Sequence, residues 1–209
     1  MGEKVVIVGA SGFGRETADV VEAMGVPIIG ILDDNPSEIN LGRLESRGLA
    51  YLGGVDAWLE QQTESVSYSI GIGSGRVREL IADKFDRAGH QAFTAIHPSV
   101  TLGANCDIGP GAVICAGVRL TTNITLGRHV QINPNVTVGH DVRLDDFVSV
   151  NPTVNVSGEV SIGARTLLGV GATVLQGLTV GADAVVGGCS LVTKDVPDGV
   201  TVKGIPGRW

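Results

Sequence analysis

His140 and Asp141 stand side by side in this 209-residue chain, and together they have the makings of an acid–base device. An imidazole near neutral pH can take a proton from an amine or hydroxyl as that group attacks an acyl carbon. A carboxylate beside it can orient the ring or stabilise its cation. His140 follows Gly139 and stands off the aliphatic register described below, so packing gives no reason for it. Composition alone would favour an exposed corner histidine.

A second set of residues can do chemistry. The apolar strand Lys4-Val-Val-Ile-Val8 runs into Gly9-Ala-Ser-Gly-Phe-Gly-Arg-Glu16, where a helix is expected to begin. Backbone N–H groups at a helix N-terminus, uncrowded by side chains, bind phosphate oxygens. This makes Gly9, Ser11, Gly12, Phe13, Gly14 and Arg15 candidates for a phosphate or nucleotide loop. Asp33 and Asp34 end the next strand, about where a dinucleotide fold places its ribose-binding acid. The spacing Gly9-x-x-Gly12-x-Gly14 is not G-x-G-x-x-G, so NAD is poorly supported. A tight turn with two solvated carboxylates is the alternative.

The element that must position His140 runs from Val100 to Asp195. Cut into sixes, it places an aliphatic at the third position of all 16 blocks, from Leu102 and Ile108 through to Val192. The fourth position is glycine in half of them: Gly103, Gly109, Gly127, Gly139, Gly163, Gly169, Gly181 and Gly187. A helix of 3.6 residues per turn would smear such a pattern around its surface, and a flat strand repeats in twos. A short strand followed by a tight corner gives six, with the aliphatic inward and glycine accepting angles a side chain resists. Three blocks make a triangular coil, so residues 18 apart lie one above another. The run amounts to about 5.3 coils standing roughly 25 Å tall at the usual strand spacing.

Ahead of it, strands alternate with helices. A helix to Met24 is followed by a strand at Ile28–Leu32, a short strand near Leu49–Leu52 and a helical turn around Asp56–Gln61. A strand at Tyr68–Ile72 leads to a helix whose Val77, Leu80, Ile81 and Phe85 fall at helical spacing, and Ala92–Ile96 closes the unit. The pattern predicts a small parallel α/β domain over residues 1–96 and a β-helix over 97–209, divided near His97-Pro98.

The net charge of −7 gives no electrostatic footprint for nucleic acid or an anionic membrane. No apolar run approaches 18 residues, so nothing is expected to span a membrane. Cys106, Cys115 and Cys189 lack CxxC spacing and read as reduced structural thiols of a cytoplasmic protein. His90 and His129 are expected at the surface, and His97 reads as structural. Only His129 and His140 lie in the repeat, without short ligand spacing, so no metal is expected.

Together VVIVGASGFGRE (Val5–Glu16), Asp33-Asp34, Ile96-His-Pro98, NPNVTVGHDVRLDDF (Asn133–Phe147) and VTKDVPDGVTVKGIP (Val192–Pro206) resemble the bacterial sugar-nucleotide N-acetyltransferases and sialic acid O-acetyltransferases. The resemblance covers essentially the whole chain. It implies a Rossmann-like N-terminal domain joined to a left-handed β-helix and a homotrimer with active sites between subunits. It also implies a His140–Asp141 pair in which His140 is the general base, with Asn133 positioning the acceptor or base. Acetyl-CoA is the implied co-substrate, its pantetheine arm lying against Gly158, Val170 and Gly188. The implied acceptor is an amino sugar on a nucleoside diphosphate. Sialic acid O-acetylation is an alternative, as is a non-catalytic nucleotide-sugar or CoA-binding module. Two departures from the pattern stand out: Ser149 where some relatives carry a second histidine, and a tail reading Gly204-Ile-Pro-Gly207 that ends at Trp209.

Overall fold

The computed structural model describes residues 4–204, so the tail from Ile205 to Trp209 lies outside the described residues. An N-terminal α/β unit precedes a left-handed parallel β-helix of about six turns.

In the α/β unit, Val5–Val8 (β1), Ile28–Leu32 (β2), Ser67–Ile70 (β3) and Gln91–Ala92 (β4) form a parallel sheet in the order β2-β1-β3-β4. Its helices are Gly12–Ala23 (α1), Glu38–Glu45 (α2), Val55–Leu59 (α3) and Gly75–Arg87 (α4). β1 is buried on both faces, as a covered parallel strand must be. Val5 and Ile7 enter a core with Ala18 and Val21 of α1, while Val6 and Val8 pack with Trp58, Tyr68 and Phe85. The strand expected near Leu49–Leu52 reduces to a single parallel bridge from Tyr51 to Ile31. Helix α2, which the sequence pattern does not announce, starts on Ser37, whose side chain accepts from the Asn40 amide.

Helix α4 is rotated from its expected face. Leu80 and Val77 are exposed, and the buried stripe is Arg78, Ile81, Ala82 and Phe85. Arg78 is fully buried, and its guanidinium donates to the carbonyls of Ile72, Gly73, His129, Phe147 and Val148 and to Gln131 Oε1, at 2.6–3.2 Å. Six oxygens at the junction of the two units thus claim the position that hydropathy assigns to Val77 and Leu80.

The repeat builds three parallel sheets of five, seven and six strands, with partners 18 residues apart, as in Thr137↔Asn155 and Arg143↔Ser161. The first rung is Ala95–Ile96, paired with Val113–Ile114. In the last coil Val185 pairs with Thr201 and Val180 with Val196, so that coil is two residues short. Inward aliphatics from Ile114 to Val202 form one continuous core.

The repeating glycines serve a purpose other than the expected one. None of the eight has a positive φ. They are required because the next coil runs too close for a side chain: a Cβ on Gly139 would meet the Gly158 nitrogen at 2.6 Å, and one on Gly103 would strike the Thr121 carbonyl. The left-handed angles fall two residues later, at Asn105, Asn123, Asn135, Asp141 and their equivalents, with φ from 52° to 61° at the non-glycine corners.

His129 and His90 are buried, at 1% and 7% exposure, contrary to the surface positions expected of them. His129 stacks on Phe147 at 5.5 Å and on Tyr68 at 5.7 Å, filling the seam between β3 and the solenoid. His90 Nδ1 accepts from the Val66 amide, and its ring lies against Trp58 and Phe85.

Burial, and then the neighbouring Arg128, push the His129 imidazole down to about 4. The unfolded chain takes up that proton near 6.5, so it binds more protons than the folded chain between these values. Stability is therefore lost as pH falls from about 6.5 to about 4, by about 3 kcal/mol for this group. Urea melts across that interval are expected to show a shallower pH slope in His129→Asn, which keeps a residue tolerant of the positive φ. An unchanged slope would contradict this reading.

Candidate active site

Strand Thr137–Val138 ends at Gly139, and the corner continues through His140 to Asp141, whose φ of 59° returns Val142 to the core. The corner aims both polar side chains outward. His140 Nδ1 lies 2.7 Å from Asp141 Oδ2, and both side chains are about half exposed. Asn123 donates to Asp141 Oδ1 at 2.9 Å. The hydrogen bonds from Asn123, and then from His140, hold the Asp141 carboxyl below its ordinary range, so it is ionised at neutral pH. An ionised carboxylate can only accept, which places the imidazole proton on Nδ1 and the lone pair on Nε2. Nε2 lies against Gly158 one coil up, where a Cβ would sit 2.5 Å from it. Gly158 is therefore needed by the imidazole itself.

The other candidates lie elsewhere. Asn133 stands at the preceding corner of the same coil, mostly buried, with Nδ2 donating to the Val150 carbonyl at 3.0 Å. Pro134, Pro152, Val170 and Gly188 rise along that edge, and Val170 is exposed. The face of Thr137–Val138 and Asn155–Val156 separates this edge from that of His140 and Gly158. Ser149 is on neither edge. It is buried beneath the α/β unit and donates to the Gly73 carbonyl at 2.9 Å.

The glycine loop forms as expected at the start of α1, but its members divide in role. Gly9 (φ 116°) and Gly14 are packing glycines: a Cβ on Gly9 would meet the Gly71 carbonyl at 2.7 Å, and one on Gly14 would overlap the Gly9 carbonyl. Phe13, in the first turn of α1, is partly buried and packs against the core. Gly12 has open space around it, and the Ser11 side chain makes no capping bond. Arg15 donates to the Ala10 carbonyl and to Asn40 Oδ1, both at 2.9 Å. Asp33 Oδ2 accepts from the Ala10 amide at 2.8 Å, so this acid braces the loop. Asp34 Oδ1 accepts from the Val55 amide at 2.7 Å, at the start of α3.

Beside the loop lies a cleft of about 340 Å³ lined by Gly12, Arg15, Glu16, Asp19, Arg43, Ser46 and Arg47. The last three come from α2 and its C-terminal end, so sequence reasoning that lacked α2 had no means of finding them. Glu16 and Asp19 also line a smaller cleft of about 170 Å³ that reaches Ala116 and Pro134 on the Asn133 edge. Burial, and then Asp19, raise the Glu16 carboxyl. Among the described residues no group of three or more His, Cys, Asp or Glu could hold a metal ion, and no helix is long and apolar enough to cross a membrane.

Comparison with known proteins adds identity to this geometry. Residues 4–85 match the family model of the PglD N-terminal domain. A perosamine N-acetyltransferase from Caulobacter crescentus, solved with CoA and GDP-perosamine and with one histidine replaced by asparagine, is 32% identical, with a TM-score of 0.90 over 100% of this chain and 96% of that one. The acetyltransferase domain of PglB from Neisseria gonorrhoeae, solved with acetyl coenzyme A, is 28% identical, with a TM-score of 0.86 over 99% of each chain. A serine acetyltransferase from Bacillus pumilus is 57% identical over 42 residues, 20% of this chain. That match spans about a fifth (19%) of the length of the curated relative.

The fit of the imidazole against Gly158 can be tested without any substrate. Gly158→Ala should swing the His140 ring outward, because the ring is exposed and free to move whereas the coil is not. Thermal stability should change by less than about 1 kcal/mol, while the imidazole nitrogen shifts report loss of the Nδ1–Asp141 bond. Unaltered shifts in a folded variant would show that the two groups do not touch.

Proposed function

The chain belongs to the sugar-nucleotide N-acetyltransferases of the hexapeptide-repeat family, and from that premise we propose that it transfers the acetyl group of acetyl-CoA to the amine of a nucleoside-diphosphate-linked amino sugar. A 4-amino-4,6-dideoxy sugar destined for a bacterial surface glycan is the acceptor we favour. The observation that carries the reading is the His140 Nδ1–Asp141 Oδ2 contact of 2.7 Å, which leaves Nε2 as a free proton acceptor at an open corner.

In this mechanism the amine nitrogen attacks the thioester carbonyl and His140 Nε2 takes its proton. Backbone N–H groups stabilise the oxyanion as the tetrahedral intermediate forms. Collapse breaks the C–S bond, and the CoA thiolate leaves to be reprotonated. Asp141 keeps the proton on Nδ1 and offsets the charge of the imidazolium. Gly12 admits a phosphate to the N-terminus of α1, with Arg15 beside it and Asp33 and Asp34 toward the sugar or base. The pantetheine arm would lie against Gly158 on the His140 edge, with Val170 and Gly188 reached on the Asn133 edge of a neighbouring copy. We place the reaction in the cytoplasm, in keeping with three free cysteines.

A hydroxyl acceptor is the second reading, favoured by the matches to the serine acetyltransferase and to a galactoside O-acetyltransferase from Lactococcus lactis, 51% identical over 39 residues. Assays with nucleotide-linked amino sugars against sialic acid separate the two.

His140→Ala should lower kcat by about 10²–10⁴-fold, the usual worth of general-base assistance, and remove the acidic limb of the kcat/KM profile. Wild-type activity with the same limb would end this mechanism. The separation of the His140 edge from the Asn133 edge and the glycine loop also supports a site completed by a neighbouring copy. Sedimentation at assay concentration should give a homotrimer. An active monomer would refute the shared site.

A further inference from the structure

The corner at Asp141 belongs to a column. Asn105, Asn123 and Asp141 each occupy a left-handed corner, at φ 57°, 56° and 59°, on successive coils of one edge. Their side chains form a directed chain of hydrogen bonds. Asn105 Nδ2 donates to Asn123 Oδ1 at 3.0 Å, Asn123 Nδ2 donates to Asp141 Oδ1 at 2.9 Å, and Asp141 Oδ2 faces His140 Nδ1 at 2.7 Å. The ionised Asp141 can only accept, so Asn123 must turn its nitrogen to Asp141 and hence its oxygen to Asn105, which donates to it.

We propose that Asn123, steadied by Asn105, is a positioning residue that locks the Asp141 carboxylate onto His140 and so sets the tautomer and basicity of the catalytic imidazole. This rests on the reading of His140 as the base. A carboxylate half exposed to water would otherwise rotate about its own axis and exchange Nδ1–H for solvent. The backbone cannot prevent this, since it fixes only the main chain, through the Asp141 amide and the Thr122 carbonyl at 3.0 Å. An amide held from below anchors one oxygen and leaves the other with one place to go. The same bond stabilises the ionised carboxylate, in line with the lowered Asp141 pKa, for which Asn123 is the leading cause.

The other ionisable groups around the corner have different roles. Glu159, the next residue up the column, is an exposed corner whose amide donates to the His140 carbonyl at 2.8 Å. Arg143 is paired with Asp145 at 2.7 Å. Asn123 is thus the side chain bonded to Asp141 from the coil below, and its type matters. Asparagine tolerates the positive φ and also supplies a donor, whereas glycine would meet only the first need.

That distinction makes the test. Asn123→Gly removes the amide without straining the corner, and it should leave the thermal melt near wild type. It should reduce kcat roughly 3- to 10-fold, less than a buried charged hydrogen bond would cost because the site is wet. The acidic limb of kcat/KM should move to lower pH, as the imidazolium loses its oriented counter-ion. Asn123→Asp keeps the backbone preference but adds a second carboxylate, so the limb should move to higher pH. NMR titration of the His140 ring in the unliganded protein should follow the same two directions. In an Asp141→Asn background, Asn123→Gly should cost little more. Unmoved limbs and ring titrations in both single variants, or a full additional loss in the double variant, would overturn the proposal. If His140→Ala itself left activity and limb intact, the assignment of the base would fail instead, and the ring titrations would still report whether the column holds Asp141.

Discussion

The vertical register of eighteen residues per coil is the constraint from which the candidate site follows. Coils stack so closely at the corners that a Cβ on Gly139 or Gly169 would lie about as near as 2.6 Å from the next backbone. That spacing is needed because each inward aliphatic is covered only by those above and below it. Once the register is set, every corner residue has a fixed neighbour one coil away. Asn123 then lies beneath Asp141 and Gly158 over His140, with no special loop required. Chemistry on this scaffold consists of substitutions at corners whose backbone is already determined.

The second constraint is the buried Arg78. A guanidinium taken out of water is costly unless its donors are met, and here carbonyls and one glutamine oxygen meet them, drawn from both units. Burial lowers its pKa, while the ring of acceptors favours the charged form. Around it the approach is close: a Cβ on Gly75 would lie 2.7 Å from the Phe147 carbonyl. Arg165 bridges Glu79 and Asp183, Arg128 reaches Asp86 at 2.8 Å, and Gln131 donates to the Ile70 carbonyl at 2.8 Å. The glycine loop and the solenoid are therefore parts of one rigid arrangement. Loss of the Arg78 guanidinium would leave several acceptors buried and unpaired.

The hexapeptide pattern made the solenoid legible because its cause is local: one aliphatic and one crowded corner per six residues. The glycine loop and the His140–Asp141 pair were legible for the same reason, being contiguous in sequence. The reason for the glycines was misread, since crowding between coils cannot be told from a left-handed φ without knowing where the next coil runs. Arg78 and His129 were missed or misplaced because their burial depends on the docking of one unit on the other, and His90 because Trp58 and Phe85 of its own unit close over it. Hydropathy rates arginine and histidine as surface residues, and nothing nearby in sequence announces the carbonyls and rings that receive them. The Asn105–Asn123–Asp141 column lay in between. Its spacing of eighteen was readable, but the direction of its hydrogen bonds required side chains.

The division of the candidate residues between two edges has a physical consequence for the site. A rigid solenoid cannot fold one corner onto another, and Arg78 fixes the α/β unit to its own chain. Gly12 and His140 are thus held apart within one copy. If both belong to a single reaction, the gap must be closed by the face of another copy, and the geometry of closure is then a property of the subunit contact. In such an arrangement precision comes from stiffness. An imidazole serving as the base of such a site would have to be aimed within its own chain. A side-chain column that holds Asp141, and through it the imidazole, supplies that aim from within one chain.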